Sequence, residues 1–235
     1  MTKLYKLIVG TFAAATLFTS VALADGFSVG ILADFSTVDT KGNEQEGTTP
    51  AANVVEKTEA SVSEDVEIPG IFAEVSGTHS SGLGMTFGIE YTPGSAQIGA
   101  KSRTDSDSAT SSLDDDGVYT AKAEIEKLLR IYVEPTFMLN ESLGFYVKGG
   151  VGHVSVNTLE TIDIGLDSSS YGDIDVWGLT VGAGVRAKHS SGLFAKLEYM
   201  ETEWDTFELK STNDVTIEVT ELDQAGTRLA VGYSF

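Results

Sequence analysis

The sequence predicts an all-β protein, an eight-stranded antiparallel up-and-down transmembrane β-barrel with short turns at one end and long acidic loops at the other. Three observations support this fold class. The last ten residues, Gly226–Phe235, alternate between an apolar file and a file of Gly, Ala, Ser and one Arg. Seven earlier segments alternate in a similar way, and the connections between segments are alternately short and long. Two unlike faces, an even strand count and unequal ends are the plan of a barrel that crosses a membrane.

Residues 1–24 are predicted to be a secretory signal peptide that is cleaved. Two lysines precede a run of apolar and small residues at positions 7–23, and Ala-Leu-Ala at 22–24 is a typical cleavage site. The mature chain, residues 25–235, is then one barrel domain. Because the chain contains no Cys, an exported protein of this kind must be held by its strand ladder, which barrel closure completes.

The charge of the chain excludes one class of partner. The formal net charge is −20, and loss of the two signal-peptide lysines leaves 13 cations (15 minus 2) against 35 anions. Nucleic acids bind to basic patches, so no nucleic-acid role is expected. The acidic runs Asp105–Asp107 and Asp114–Asp116 lack the Gly and the terminal Glu of an EF-hand loop. No metal site and no cofactor are predicted, and these runs are interpreted as solvated loops.

Four strands are predicted in the first half of the mature chain. They span Phe27–Val38, Ile68–Thr78, Leu83–Ile98 and Val118–Leu139. Their outward apolar files contain Phe27, Val29, Ile31 and Phe35, then Ile71 and Val75, then Leu83, Met85, Phe87, Ile89 and Tyr91, then Leu129, Ile131, Val133 and Phe137. Pro135 lies on the lipid side of the fourth strand, where its missing N–H predicts a bulge near the rim.

Four further strands are predicted in the second half. They span Leu143–Val156, Ile174–Lys188, Leu193–Leu209 and Val215–Phe235. Their outward files include Phe145, Val147 and Val151, then Trp177, Leu179 and Val181, and finally Leu229, Val231, Tyr233 and Phe235. The seventh and eighth strands form a long hairpin. Its distal half carries Glu201, Glu203, Asp205 and Glu208, which is too acidic for hydrocarbon, so we expect it to project beyond the membrane.

The predicted connections alternate in length. The long polar segments are 39–67, 99–117 and 157–173. Two of the short turns repeat the sequence His-Ser-Ser-Gly-Leu, at His79–Leu83 and His189–Leu193. A paired His/Ser site is one interpretation. We favour a reused hairpin turn in which Gly supplies a positive φ.

The inward file carries equal numbers of acidic and basic residues. A closed eight-stranded interior is filled by side chains, and an unpaired charge there is costly. We therefore predict an ion-pair belt that plugs the periplasmic half of the lumen, with a charge-selective pore as the alternative. The predicted belt contains Asp34, Glu74, Glu90, Arg130, Glu134, Lys148, Arg186, Lys196, Glu198 and Arg228. A soluble barrel is the alternative to the membrane barrel, and in it the apolar file would face inward.

The signal peptide, the eight alternating files, Gly149–Gly152, Gly182–Gly184 and the Leu229–Phe235 ending together resemble the eight-stranded outer-membrane β-barrel superfamily. That superfamily includes the outer membrane protein A transmembrane domain, the outer membrane protein X type and opacity-type surface antigens of the porin family. The resemblance implies a monomer in the bacterial outer membrane, surrounded by lipid and lipopolysaccharide. It implies short periplasmic turns and long acidic extracellular loops.

The same resemblance implies how the barrel is assembled and used. The barrel-assembly machinery would read an assembly signal made of Leu229, Val231, Tyr233 and Phe235. The expected role is structural or interactive: envelope integrity, surface antigen, or adhesion to an extracellular ligand through the loops. A narrow channel for small solutes is the alternative.

One enzymatic resemblance is weaker. Lipid A deacylases of this size use a His-x-Ser pair on the lipid-facing side, and His153 and Ser155 have that spacing. The Asn that follows the Ser in that family is Val156 here, and acidic partners are available only in a loop, at Glu160, Asp163 and Asp167. A triad needs an acid that orients the imidazole. We therefore predict that the chain is not an enzyme.

Overall fold

The structure, a computed structural model, describes residues 26–46, 56–105, 117–162, 171–210 and 216–235. The predicted signal peptide lies outside these ranges, as do the acidic residues Asp107, Asp114 to Asp116, Asp163 and Asp167. No helix among the described residues is both long and apolar enough to span a membrane.

The described residues form a single antiparallel sheet that closes on itself. The strands are β1 Gly26–Glu46, β2 Glu56–Thr78, β3 Leu83–Asp105, β4 Gly117–Met138, β5 Leu143–Ile162, β6 Asp173–Lys188, β7 Leu193–Trp204, β8 Phe207–Lys210 and β9 Thr216–Ser234. β7 and β8 lie end to end along β9 in one register, so together they form the seventh wall position. β9 also pairs with β1, which closes an eight-stranded barrel.

The register around the wall is staggered. Following paired neighbours once around the barrel from Ile31 returns to β1 at Lys41, which is ten residues further along (41 minus 31). A stagger of this size tilts the strands by roughly 40° to the barrel axis. The tilt leaves an interior that side chains can fill.

The predicted orientation of the two faces is confirmed. Ile131, Trp177 and Leu229 point outward and are 57%, 51% and 50% exposed, whereas Glu134 and Arg186 point inward and are 1% and 9% exposed. Met85 is an exception, because it was expected on the outward file and is buried. Apolar side chains therefore surround the barrel and ionic side chains lie inside it, as hydrocarbon surroundings require.

The strands are longer than the sequence predicted. β1 continues to Glu46 and β2 begins at Glu56, so most of the segment 39–67 is strand rather than loop. β3 and β5 likewise extend to Asp105 and Ile162. The prediction failed because these extensions are mostly polar. The segment 39–46 has no Val, Ile or Leu, and in 56–67 the buried Val66 lies between the exposed Asp65 and Glu67.

The expected bulge at Pro135 is wrong. Pro135 pairs with Met85 in an unbroken register. The register of β4 instead shifts around Lys127, against both of its neighbours, and Lys127 has a φ of 54°. Positive φ for a non-glycine residue is uncommon and here accompanies the bulge.

The repeated turns have the predicted geometry. Gly82 and Gly192 have φ values of 84° and 96°, and each donates its N–H to the carbonyl of the turn's own His, at 2.9 and 3.0 Å. In each turn the His Nδ1 accepts a bond of 3.2 Å from the backbone N–H of the second Ser. Because the imidazoles are used within the turns, the repeat is a reused hairpin, as favoured.

Candidate functional site

The interior of the turn end is mainly ionic, with a small apolar cluster of Leu32, Phe72, Phe194 and Ala230 beside the charges. The structure places all ten predicted belt residues inside the barrel, and each has relative exposure of 9% or less. Their side chains form one connected network of carboxylates and cations. No member of the belt lacks an opposite charge within 4 Å.

Arg228 and Lys148 join the two sides of this network. Arg228 Nη2 donates to Asp34 Oδ2 at 2.8 Å, and its Nη1 donates to Glu90 Oε2 at 2.5 Å. Lys148 Nζ lies 2.9 Å from both Glu90 Oε1 and Glu198 Oε1. The bonds to Glu90 and Glu198 cross the lumen, whereas Asp34 lies directly opposite Arg228 on the neighbouring strand β1.

A second centre completes the belt. Lys196 Nζ donates to Glu134 at 2.8 and 2.9 Å and also bonds to Glu74. Arg186 reaches Glu74 at 3.3 Å, and Arg130 reaches Glu90 at 2.9 Å. Charges that are buried together and hydrogen-bonded in this way offset much of their desolvation.

Neutral side chains also join the belt, and the sequence analysis did not assign them a role. The Tyr132 hydroxyl donates to Glu74 at 2.7 Å, and the Tyr146 hydroxyl donates to Glu198 at 2.8 Å. The Lys148 ammonium lies 4.1 Å from the centroid of the Tyr132 ring. Both tyrosines are buried and alternate with the outward residues of β4 and β5, so the alternation of these strands was the signal available for them.

The interior of the loop end is apolar, which the sequence analysis missed. Twelve buried hydrophobic side chains form one cluster, here called the outer core. They are Val38, Val66, Ile68, Ile98, Ile125, Leu128, Val154, Val156, Val176, Trp204, Val219 and Leu222. They lie on the inward faces of the strands beyond the exposed apolar belt, and all except Val66 fall inside the strand bounds that the sequence predicted. The signal was available as a second alternation, opposite in phase to that of the membrane belt.

Trp204 is the largest side chain of the outer core. It is 5% exposed and packs against Gly152 and Gly178, where an added Cβ would meet the indole ring. The absence of a side chain at these two positions therefore gives the indole its place across the lumen.

Backbone pairing in the wall is interrupted at a seam between β2 and β3, and among the described residues β8 likewise pairs with β9 and not with β6. β2 and β3 pair only from Ile71–Tyr91 to Thr78–Gly84, although within the described residues β2 begins at Glu56 and β3 continues to Asp105. Above Ile71 and Tyr91, both of which belong to the exposed apolar belt, the extensions pair only with β1 and β4. Val66, Ile68 and Ile98 of the outer core flank the seam. Side-chain packing replaces backbone hydrogen bonds there.

Two prolines explain where the pairing stops. In β2, Pro69 lies just before the segment that pairs with β3. In β3, Pro93 lies just after the segment that pairs with β2, beside a register shift against β4 between Thr92 and Ser95. Proline has no N–H and is confined to strand edges and bulges. Since both strands have a proline at the same boundary, the ladder cannot continue past it.

The outer surface of the extensions is acidic. Exposed carboxylates there include Asp39, Asp65, Glu67, Glu201, Asp205 and Glu208. Burial, followed by repulsion from Glu221 and Glu203, raises the pKa of the Asp223 carboxyl. The exposed ion pair between Lys41 and Glu221, at 2.7 Å, is one local compensation.

The candidate catalytic pair is arranged differently from a triad. His153 Nε2 lies 3.8 Å from Asp175 Oδ1, and the Ser155 hydroxyl donates to that same oxygen at 2.8 Å. The acid lies between the two other groups, so the Ser proton is directed to a carboxylate rather than to an imidazole base. The sequence analysis missed Asp175, because the register across the long β5–β6 connection is not set by a tight turn. His153 also packs edge-on against Trp177, with ring centroids 4.7 Å apart.

A cavity of 430 Å³ lies at the turn end and is lined by polar groups that include Thr86, Thr136, Arg186 and Lys188. Among the described residues no three His, Cys, Asp or Glu side chains are grouped to hold a metal ion. At the last strand, Leu229, Val231, Tyr233 and Phe235 point outward, and the Phe235 ring stacks on Phe27 at 6.2 Å.

Comparisons by sequence and by structure give different results. No protein-family model matches the sequence, and no curated protein matches it. Among solved structures, the chain is similar to OprG from Pseudomonas aeruginosa, with 14% identity over 91% of this chain and 97% of that one and a TM-score of 0.45. It is similar to Neisserial surface protein A, with 13% identity, 90% and 98% coverage and a TM-score of 0.43.

A third similar structure is Ail, the attachment invasion locus protein of Yersinia pestis, solved in complex with the heparin analogue sucrose octasulfate. Its identity is 14%, over 86% of this chain and 99% of that one, with a TM-score of 0.37. The orientation of the faces in the present structure is a separate observation. Its exposed apolar belt, ionic interior and closed antiparallel wall are those of a transmembrane barrel. The chain is a small, closed, eight-stranded antiparallel β-barrel whose faces are those of a membrane-spanning barrel.

Proposed function

We propose that this barrel is closed to ions along its axis. We also propose that small apolar molecules enter its outer compartment, the loop-end interior lined by the outer core, through the seam between β2 and β3. The observation that carries the proposal is the end of backbone pairing at Ile71 and Tyr91 while both strands continue. Apolar side chains line the interior beyond that point. A wall held there by side-chain packing opens at lower cost than one held by a ladder of backbone bonds.

The axial closure is supported by both halves of the interior. A paired ionic belt fills the turn end, and the outer core fills the loop end. We expect the purified protein to give no stable conductance in a planar lipid bilayer. A reproducible ohmic channel would overturn the closure and favour the narrow-channel alternative.

The seam is tested with a clamp. Glu67 and Ser95 are exposed residues on the two sides of the seam, and the chain contains no Cys of its own. The double variant Glu67→Cys, Ser95→Cys is joined with a bifunctional maleimide in a Trp177→Phe background, which leaves Trp204 as the single tryptophan. Quenching of Trp204 by 1-bromohexane then reports entry into the outer core.

We expect the clamp to slow this quenching by about 10-fold, which corresponds to about 1.4 kcal/mol in the barrier to entry. The control pair is Asp39→Cys, Ser63→Cys. These exposed positions face each other across the intact β1–β2 ladder, so joining them should leave the rate unchanged. Equal rates with and without the seam clamp would contradict the proposal.

A second candidate function is a structural or surface-interaction role, which the acidic face of the extensions favours. Exposed carboxylates such as Asp65, Glu201 and Asp205 attract basic partners in a salt-dependent way. Adhesion of cells that display the protein to a polylysine-coated surface tests this role. The triple variant Glu201→Gln, Glu203→Gln, Asp205→Asn should reduce adhesion, and unchanged adhesion would exclude this face as the contact.

We also propose that Leu229, Val231, Tyr233 and Phe235 are the assembly signal. We propose that lipid and lipopolysaccharide surround the exposed apolar face of the barrel. The four side chains share the outward face of the strand that closes the barrel. The variant Phe235→Ser should slow membrane insertion in cells without changing the refolded barrel. Normal insertion would remove Phe235 from the signal.

A further inference from the structure

One polar side chain of the outer compartment has no partner. Gln224 of β9 is 3% exposed, and neither its amide nitrogen nor its amide oxygen is hydrogen-bonded within the part of the chain that the structure describes. The Thr40 hydroxyl of β1 is also buried without a bond there. A buried, unsatisfied polar group is costly, so these groups weaken the fold unless a ligand bonds to them.

The two groups are neighbours on the inner wall. Gln224 lies opposite Val38, and Thr40 lies opposite Leu222, on the paired strands β9 and β1. Val38 and Leu222 belong to the outer core. The amide and the hydroxyl are therefore diagonal neighbours. On its other side Gln224 lies opposite the buried Thr202 of β7, and β1 separates Gln224 from β2, which forms one edge of the seam.

We infer that Gln224 and Thr40 bind the uncharged polar head of a small amphipathic molecule whose hydrocarbon chain lies in the outer core. This inference rests on the proposed uptake through the seam. An amide offers a donor and an acceptor together, so it suits a head that also donates and accepts, such as an aliphatic alcohol. A charged head does not fit, because none of the described charged side chains bonds to Gln224 and an unpaired ion is costly there.

The experiment uses two ligands that differ only in the head. The Trp177→Phe protein is reconstituted in phospholipid vesicles and titrated with 1-bromohexane or with 6-bromo-1-hexanol, and quenching of Trp204 is measured against the concentration of each ligand in the membrane. We expect the alcohol to bind about 10-fold more tightly than the alkane. We expect Gln224→Leu to abolish that preference while alkane binding is retained.

The outcomes separate the head-group site from the uptake that it depends on. If alkane and alcohol quench equally in the protein with Gln224 intact, the head-group site is wrong and the uptake proposal stands; an amide bonded only to internal water gives this result. If neither ligand quenches Trp204, both proposals fall. The preference is first measured without any substitution at the site, so it does not depend on a variant folding. Thr40→Val is the second variant and should reduce the preference about threefold.

Discussion

The two halves of the barrel interior contain side chains of opposite character. At the turn end the outside is hydrocarbon and the inside is a balanced belt of ions. At the loop end the outside carries acidic residues and the inside is the apolar outer core. Each strand therefore exchanges its polar and apolar faces where its surroundings change from lipid to water. An alternating pattern therefore identifies a strand, whereas the surroundings of the strand decide which face is inside.

The two halves should also differ in their response to mutation. An ion belt has no solvent to replace a missing partner, so its loss leaves a stranded charge. An apolar core loses contacts and transfer free energy in proportion to the volume removed. The following substitutions test this difference, and each is measured as the free energy of unfolding in urea with phospholipid vesicles.

The largest effect is expected from Arg228→Met. Arg228 bridges Asp34 and Glu90, and its removal leaves buried carboxylates short of a cation. We expect a loss of about 4 kcal/mol. Lys41→Met removes a cation from the exposed pair with Glu221 and should cause no measurable change. Equal losses in the two variants would contradict a special cost of burial in the belt.

The next effect is expected from Trp204→Ala in the outer core. Removing this buried ring creates a cavity between β5, β6 and β7, and we expect a loss of about 3 kcal/mol. Trp177→Ala is the matched control, because Trp177 is half exposed on the lipid side and lipid can fill the space. A greater loss at Trp177 than at Trp204 would show that the outer core is not a packed element.

A smaller effect is expected where a side chain is added. Gly178→Ala places a methyl group against the Trp204 ring, and we expect a loss of about 2 kcal/mol from overpacking. Gly149→Ala is the control, because an added Cβ there meets nothing within 4 Å. If Gly178→Ala is as stable as Gly149→Ala, the indole does not occupy the position described.

The smallest effect concerns pH. The pKa of Asp223 is raised in the folded state by burial and by its acidic neighbours, so its charge opposes folding at neutral pH. Stability should increase as the pH falls from above the folded pKa towards the unfolded value, because the folded state binds the proton more tightly. Asp223→Asn should stabilise the protein by about 0.3 kcal/mol at pH 7 and remove this dependence.

Asp205→Asn is the control for that prediction, since it removes a carboxylate from an exposed position between β7 and β8. The measurement is the urea midpoint of each variant at pH values from about 4 to about 8. This range begins near the pH at which ordinary carboxyl groups titrate. If Asp205→Asn and Asp223→Asn give the same pH profile, the neighbours of Asp223 do not cause the effect.

Much of the fold could be predicted, because the pattern of a membrane strand is local. The outward files of Phe27–Phe35 and Leu229–Phe235 were identified from alternation alone, and their orientation is confirmed. The strand extensions could not be found in the same way. The segment 39–46 has no Val, Ile or Leu at all, and 56–67 has few apolar residues, of which Val66 is buried between the exposed Asp65 and Glu67.

The sequence by itself determined the fold class, the two faces, the turn ends and the equal numbers of inward acids and bases, because each depends on residues that are close along the chain. Only the tertiary structure decided which charges meet, such as Arg228 with Glu90 and Lys196 with Glu74, since these bonds cross the lumen. The seam was also found only in the structure. The tight turn at His79–Gly82 sets a hairpin register that brings Pro69 and Pro93 to the same boundary, beyond which the two strands continue without pairing.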